Sequence, residues 1–208
     1  MEIETVSALY RYFEALYSLN QNLIILCGTD VHDHSGEQER RIDEIIMAIP
    51  RLVPYSFNKK KAIYEINKRD GLMNFSIDIP FLSENYESIY ESHKDFLEKV
   101  KKIRNKLEHE LHGAKIVASS SGSVSLFSAT YKVEETELSL CATEIIAFTK
   151  DINTLFSQIQ MLVHQFANEY KYTEHPYYWR LVRCDFSDFN KILNSNLLHV
   201  FGKTLLPF

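Results

Sequence analysis

The stretch KKIRNKLEHELHG, residues 101–113, gathers Arg104, Asn105, His109 and His112 onto one short piece of chain. Its apolar spacing is helical. With Leu107 as reference, Val100, Ile103 and Leu111 all fall within about 40° of it at 100° per residue, which makes this the core-facing side. Arg104 sits at about 60°, on the border of that stripe, while Asn105, His109 and His112 cluster near 160°, 200° and 140° on the opposite face. His109 and His112 fall in the last turn, where unpaired carbonyls and the helix dipole favour a protonated imidazole, and Glu108 and Glu110 push the same way. Such a set suits cleavage of a phosphodiester without a metal. An imidazole can take a proton from a ribose 2′-hydroxyl, and a guanidinium can stabilise charge developing on the phosphorus-bound oxygens. An acid and a base are both wanted, and one chain shows one evident copy of the set. A two-fold dimer that joins two such helix ends would complete the site.

The elements that must hold this helix end in place are mostly helical. Val6, Leu9, Phe13, Leu16, Leu23 and Cys27 recur at spacings of three and four, so residues 2–27 read as an amphipathic helix in which Asn20 takes a core-phase position and needs a polar partner. Ser35 and the Glu-rich sequence after it open a second helix that Pro50 and Pro54 close. Residues 56–70 read as a weaker third helix, expected to end at Gly71. Ser83 is the expected N-cap of the long helix that carries the motif, with a predicted stripe of Tyr86, Ile89, His93, Phe96, Leu97, Val100, Ile103, Leu107 and Leu111 and an expected stop at Gly113. Residues 115–133 are rich in Val, Ser, Thr and aromatics around a Ser-Gly turn, which predicts a β-hairpin, with a flexible linker as the competing reading. Leu138, Cys141, Ile145, Phe148, Ile152, Leu155, Ile159, Leu162 and Phe166 predict a second long helix. Two helices of about 30 residues, each about 45 Å long, would lie antiparallel as the spine of an up-and-down bundle. The expected fold is therefore all-α, with a β-hairpin between the two longest helices. The bundle spans residues 1–170, and an aromatic-rich extension, 171–208, packs on it or on a dimer surface, with a short helix near 187–195.

RNKLEH, Arg104 to His109, resembles the Arg-(polar)-x3-His signature of the HEPN superfamily. The resemblance covers the motif closely and the rest of the chain through its architecture alone. It implies a helical bundle that pairs around the motif as a homodimer, with Arg104 and His109 as the reactive pair and Asn105 as the polar residue after the arginine. It also implies a metal-independent endoribonuclease of a toxin or phage-defence type, with no cofactor, 2′,3′-cyclic phosphate products and a protein antitoxin as a possible partner. A hairpin straight after the motif departs from the minimal bundle. Lys101, Lys102, Lys106 and His112 are candidate substrate-binding residues. Many bundles of this kind only bind, so the rival reading is a non-catalytic module for RNA, a nucleotide or a partner protein.

Other chemistry-bearing stretches have plainer readings. Asp30, His32, Asp33 and His34 in DVHDHSGE, residues 30–37, could ligate a divalent ion, but the spacing matches no specific site and a solvated interhelical loop explains it better. The basic run on the motif helix is interleaved with Asp95, Glu98 and Glu108, as on a solvated, ion-paired face. Tyr177, Tyr178, Trp179, Arg180 and Arg183 could stack on bases, though packing explains such a run more simply. Cys27 and Cys141 fall on core stripes as small buried hydrophobes.

Composition sets the outer bounds. A chain of 208 residues with 45% hydrophobic content can build a substantial core. Its net charge of -5 argues against indiscriminate coating of nucleic acid while leaving room for a local basic groove. Cys27, Cys141 and Cys184 are widely spaced and odd in number, which excludes a CxxC pair and suits a reducing compartment. Met1-Glu2-Ile3-Glu4 is acidic where a secretory signal would be basic, and no apolar run approaches the roughly 18–20 residues that span a bilayer. The expectation is a cytoplasmic protein with no membrane association.

Overall fold

The computed structural model describes residues 3–28, 36–52, 85, 88–109, 115–120, 125–169 and 186–201. The predicted helix at 56–70, the Ser83 cap, the loop at 30–35, His112 and the aromatic run at 175–183 lie outside these residues. Helix α1 is Ile3–Gly28 and α2 is Gly36–Ala48, which passes into a 3-10 turn, Ile49–Arg51. The motif helix α3 is Lys94–His109. Strands β1 (Lys115–Ser120), β2 (Ser125–Val133) and β3 (Thr136–Cys141) follow, then α4 (Ala142–Glu169) and α5 (Phe186–Phe201). Among the described residues no helix is long and apolar enough to cross a membrane.

The helices pack around one apolar core. Leu16, Leu19 and Leu23 of α1, Ile42, Ile45 and Ile46 of α2, Val100 and Ile103 of α3, and Phe148 and Ile152 of α4 are fully buried. Phe186 of α5 enters the same core, edge-on to Phe13 and Phe156. The first part of α5 is thus bound into the bundle. The expected antiparallel course is present, since Lys99 meets Glu144 at 2.5 Å and His93 meets Asp151 at 2.8 Å, but α3, with 16 residues, is shorter than the 26 of α1 and is not one of the two longest described helices. The helical ladder of the motif segment also runs upstream of α3. His93 N–H is shared between the carbonyls of Ile89 and Tyr90, a local tightening, and the His93 carbonyl accepts from Leu97.

Asn20 has the partner its core position requires. It is fully buried, and its amide exchanges two hydrogen bonds with the amide of Asn153, at 2.7 and 2.8 Å. The second amide proton of Asn20 goes to the Leu16 carbonyl. Asn153 also donates to Asn190 at 2.9 Å, and Asn190 donates to the Lys150 carbonyl and to Thr154. Three amides therefore join α1, α4 and α5 in one satisfied network. A second polar seam holds α1 to α2, where buried Asn22 donates to Glu44 and accepts from Arg41.

The sheet is larger than the expected hairpin. Its order is β1-β2-β3, both pairs antiparallel, with Ser120 opposite Ser125 in the first and Val133 opposite Thr136 in the second. Residues 136–141 are strand, so the second long helix begins at Ala142 and Leu138 does not belong to it. The β2–β3 turn is Glu134-Glu135, with Glu134 at φ 55°. That conformation usually recruits Gly or Asn, and their absence hides the turn from a sequence reading. In β3, Leu138 and Leu140 alternate with polar residues and pair with buried Tyr131 and Ala129. The outer row pairs Thr130 with Ser139 and Lys132 with Glu137. Cys141, expected in the core, is exposed at the strand end. Its backbone N–H donates to Glu144 at 2.9 Å, a reach-back from the third helical residue to the cap that sets where α4 starts.

Tyr131 ties the sheet to α2 by donating to Asp43 at 2.9 Å. Burial raises the Asp43 carboxyl above its usual range, the Tyr131 hydroxyl pulls it back down in part, and Glu39 raises it. Ionised Asp43 is therefore costlier in the folded chain than in the unfolded one. Its contribution to stability is complete below the ordinary carboxylate range and is lost as pH rises through the raised value. Asp43→Asn should gain stability relative to the parent between pH 3 and pH 7, as read by thermal melts; a constant difference across that window would contradict the assignment. Asn153→Ala strands the buried amide of Asn20 and one acceptor of Asn190, and should cost roughly 2–4 kcal/mol. In urea melts the Asn20→Ala, Asn153→Ala double variant should lose clearly less than the two single losses combined, since the pair acts as a unit.

Candidate functional site

The C-terminal half of α3 carries the motif, and the helix divides it between two sides. Ile103 is buried and Leu107 packs against the core, so the stripe expected from the sequence faces inward. Asn105 and His109, one turn apart, are both exposed on the outer side. Arg104 turns the other way. Its side chain is 17% exposed and its guanidinium pairs with Glu108 at 2.7 Å, one turn further on. Positions 104 and 109 differ by about 140° around the helix and about 7.5 Å along it. A single copy of α3 therefore does not bring the guanidinium and the imidazole to one point.

Arg104 and Glu108 form one wall of a cavity of about 650 Å³. Helix α1 supplies Glu14, Ala15 and Ser18 to a second wall. The end of α2 and its 3-10 turn supply the third, with Glu44, Met47, Ala48, Pro50 and Arg51. The sequence motif pointed to Arg104 but not to this cavity, because Glu14 and Arg51 meet it only through the packing of α1 against α2. Glu44 is already engaged, by Arg40 at 2.5 Å and by Asn22 at 3.1 Å. With three carboxylates against two guanidiniums, the cavity is a poor receptor for a bare phosphate.

The lysines of the motif helix have separate fates. Lys102 is exposed and stands on the solvent side. Lys101 is half-buried, and Lys106 donates to the Lys132 carbonyl on β2, which ties the helix to the sheet. Lys99 is committed to Glu144. Among the described residues no group of three or more His, Cys, Asp or Glu side chains is placed to hold a metal ion.

Burial pushes the Cys27 thiol up to about 12, so it is held as a thiol and is a poor nucleophile. No known protein family matches the chain, and neither a curated protein nor a solved structure matches it. Alkylation at pH 8 followed by peptide mapping should modify Cys141 in the native protein and Cys27 only after denaturant is added. Equal native labelling of both would mean that the core around Leu23 and Cys27 is open.

Proposed function

We propose that this chain is a HEPN-like RNA-directed helical domain acting as a metal-independent endoribonuclease in the cytoplasm, in a toxin or phage-defence role. The observation that supports this reading best is the presentation of Asn105 and His109 side by side on the exposed face of a helix end whose Arg104 is held one face away. In the proposed reaction the ribose 2′-oxygen attacks the adjacent phosphorus and the bond from phosphorus to the 5′-oxygen breaks. One imidazole takes the 2′-proton and another gives a proton to the leaving 5′-oxygen, which leaves a 2′,3′-cyclic phosphate and a 5′-hydroxyl. A guanidinium stabilises the charge on the phosphorane-like transition state. Because Arg104 and His109 diverge on one helix, the complete set would come from two copies of α3 across a two-fold axis. Asn105 would orient the imidazole or the substrate, and Lys102 would follow the phosphate chain.

The ion pair between Arg104 and Glu108 favours a second reading, a non-catalytic module that binds RNA, a nucleotide or a partner protein such as an antitoxin. An arginine neutralised by its own helix is a weaker stabiliser of a transition state than one aimed at substrate.

Purified protein incubated with RNA in EDTA should produce fragments with cyclic phosphate ends. His109→Ala should reduce the rate by at least about a hundredfold, and Arg104→Ala by a similar factor. RNA that is bound but never cut, with both variants weakening the binding, would favour the second reading. Cleavage that His109→Ala leaves untouched would end the catalytic one.

A further inference from the structure

The cavity behind Arg104 has a charge pattern that the proposed RNA chemistry does not use. Three of its five charged residues are satisfied inside the protein: Arg104 and Glu108 by each other, and Glu44 by Arg40 and Asn22. The other two, Glu14 on α1 and Arg51 on the 3-10 turn, are exposed and have no hydrogen bond or ion pair among the described residues. They belong to different elements that line the same cavity, so among the described residues one unpaired carboxylate and one unpaired guanidinium are left around a shared space. The same lining includes small or apolar residues: Ala15 and Ala48, almost fully buried, and Pro50, buried.

We infer that this cavity is a binding site for a dipolar ligand, an α-amino acid or a short peptide. Its ammonium group would face Glu14 and its carboxylate would face Arg51. A planar guanidinium takes a carboxylate through paired N–H donors, and a free carboxylate takes an ammonium as an acceptor. The apolar lining between them would take a side chain. A nucleotide fits less well, because its phosphates would meet Glu14, Glu44 and Glu108 along with the arginines. A simple amine leaves Arg51 unanswered, and a simple carboxylate leaves Glu14 unanswered. A volume of about 650 Å³ lies within the usual range for small-ligand sites and exceeds what one amino acid needs, which leaves room for a dipeptide or tripeptide.

The test uses the full chain and does not depend on ribonuclease activity. Thermal melts would be run against the common amino acids, dialanine and trialanine, and binders taken to calorimetry. Isopentylamine and 4-methylpentanoate, which each keep one charged end of leucine, serve as the single-charge controls. At least one zwitterion should bind saturably, and both single-charge controls should fail. Free amino acids and peptides, compared at equal concentration, distinguish the two sources of the dipolar group. Glu14→Gln and Arg51→Gln should each weaken the binding by about tenfold or more. Both residues are exposed, so the unliganded melting temperatures of these variants should match the parent and exclude misfolding as the cause. The inference is overturned if no zwitterion binds, if either single-charge control binds as well, or if the two variants bind like the parent.

Discussion

The exchange of hydrogen bonds between Asn20 and Asn153, with Asn190 behind it, is the constraint on which the arrangement of α1, α4 and α5 depends. An apolar core is tolerant of small sliding movements, because one methyl contact replaces another at little cost. A buried primary amide is not, since each donor left without an acceptor carries its full desolvation penalty. Asn20 and Asn153 are both fully buried and lie far apart in sequence. Their mutual bonds are made at one register of α1 on α4, and Asn190 extends the same requirement to α5. The Phe13, Phe156 and Phe186 cluster supplies contact area beside this network, and the amides choose its alignment.

From that frame the motif helix takes its position by a different kind of contact. Phe96, Val100 and Ile103 fill the core, while three polar ties hold the helix at its flanks: His93, just before α3, to Asp151, Lys99 to Glu144, and Lys106 to the Lys132 carbonyl. Glu144 also caps α4 through the Cys141 N–H, so one carboxylate sets where α4 starts and where α3 lies against it. These ties consume much of the positive charge that the sequence places on the motif helix. Outward on its C-terminal half stand Lys102, Asn105, Glu108 and His109, with Lys94 and Asp95 exposed at its start. Arg104 faces the cavity formed with α1 and α2. The helix thus presents two chemically different surfaces, one imidazole-bearing and open, the other mixed in charge and recessed.

The inward stripe of Val100, Ile103 and Leu107, the outward placement of Asn105 and His109, the need of Asn20 for a partner, and the antiparallel course of α3 and α4 were all legible from residue spacing. Each follows from periodicity, which is a local property. The third strand was not legible. Leu138 and Cys141 fit a helical spacing as an extension of the stripe of α4, whereas Leu138 and Leu140 fit an alternating one, and four residues cannot separate the two periods. The β2–β3 turn is made by Glu134 and Glu135, residues with no preference for the left-handed conformation that Glu134 adopts. Cys141 consequently moved from the core to the surface.

Sequence by itself determined which side of each long helix is buried, because a period of three and four residues leaves only one apolar face to cover. It also determined that the end of α3 would offer Asn105 and His109 outward. Only the tertiary structure decided what Arg104 faces, since a residue on the border of a stripe is directed by whichever neighbour answers its charge. Here Glu108 answers it, beside the cavity that α1 and α2 enclose. Glu14, Arg51, Asn153 and Asn190 were likewise ordinary residues in the linear chain. Their roles arise from contacts between segments far apart in sequence, which no local spacing encodes.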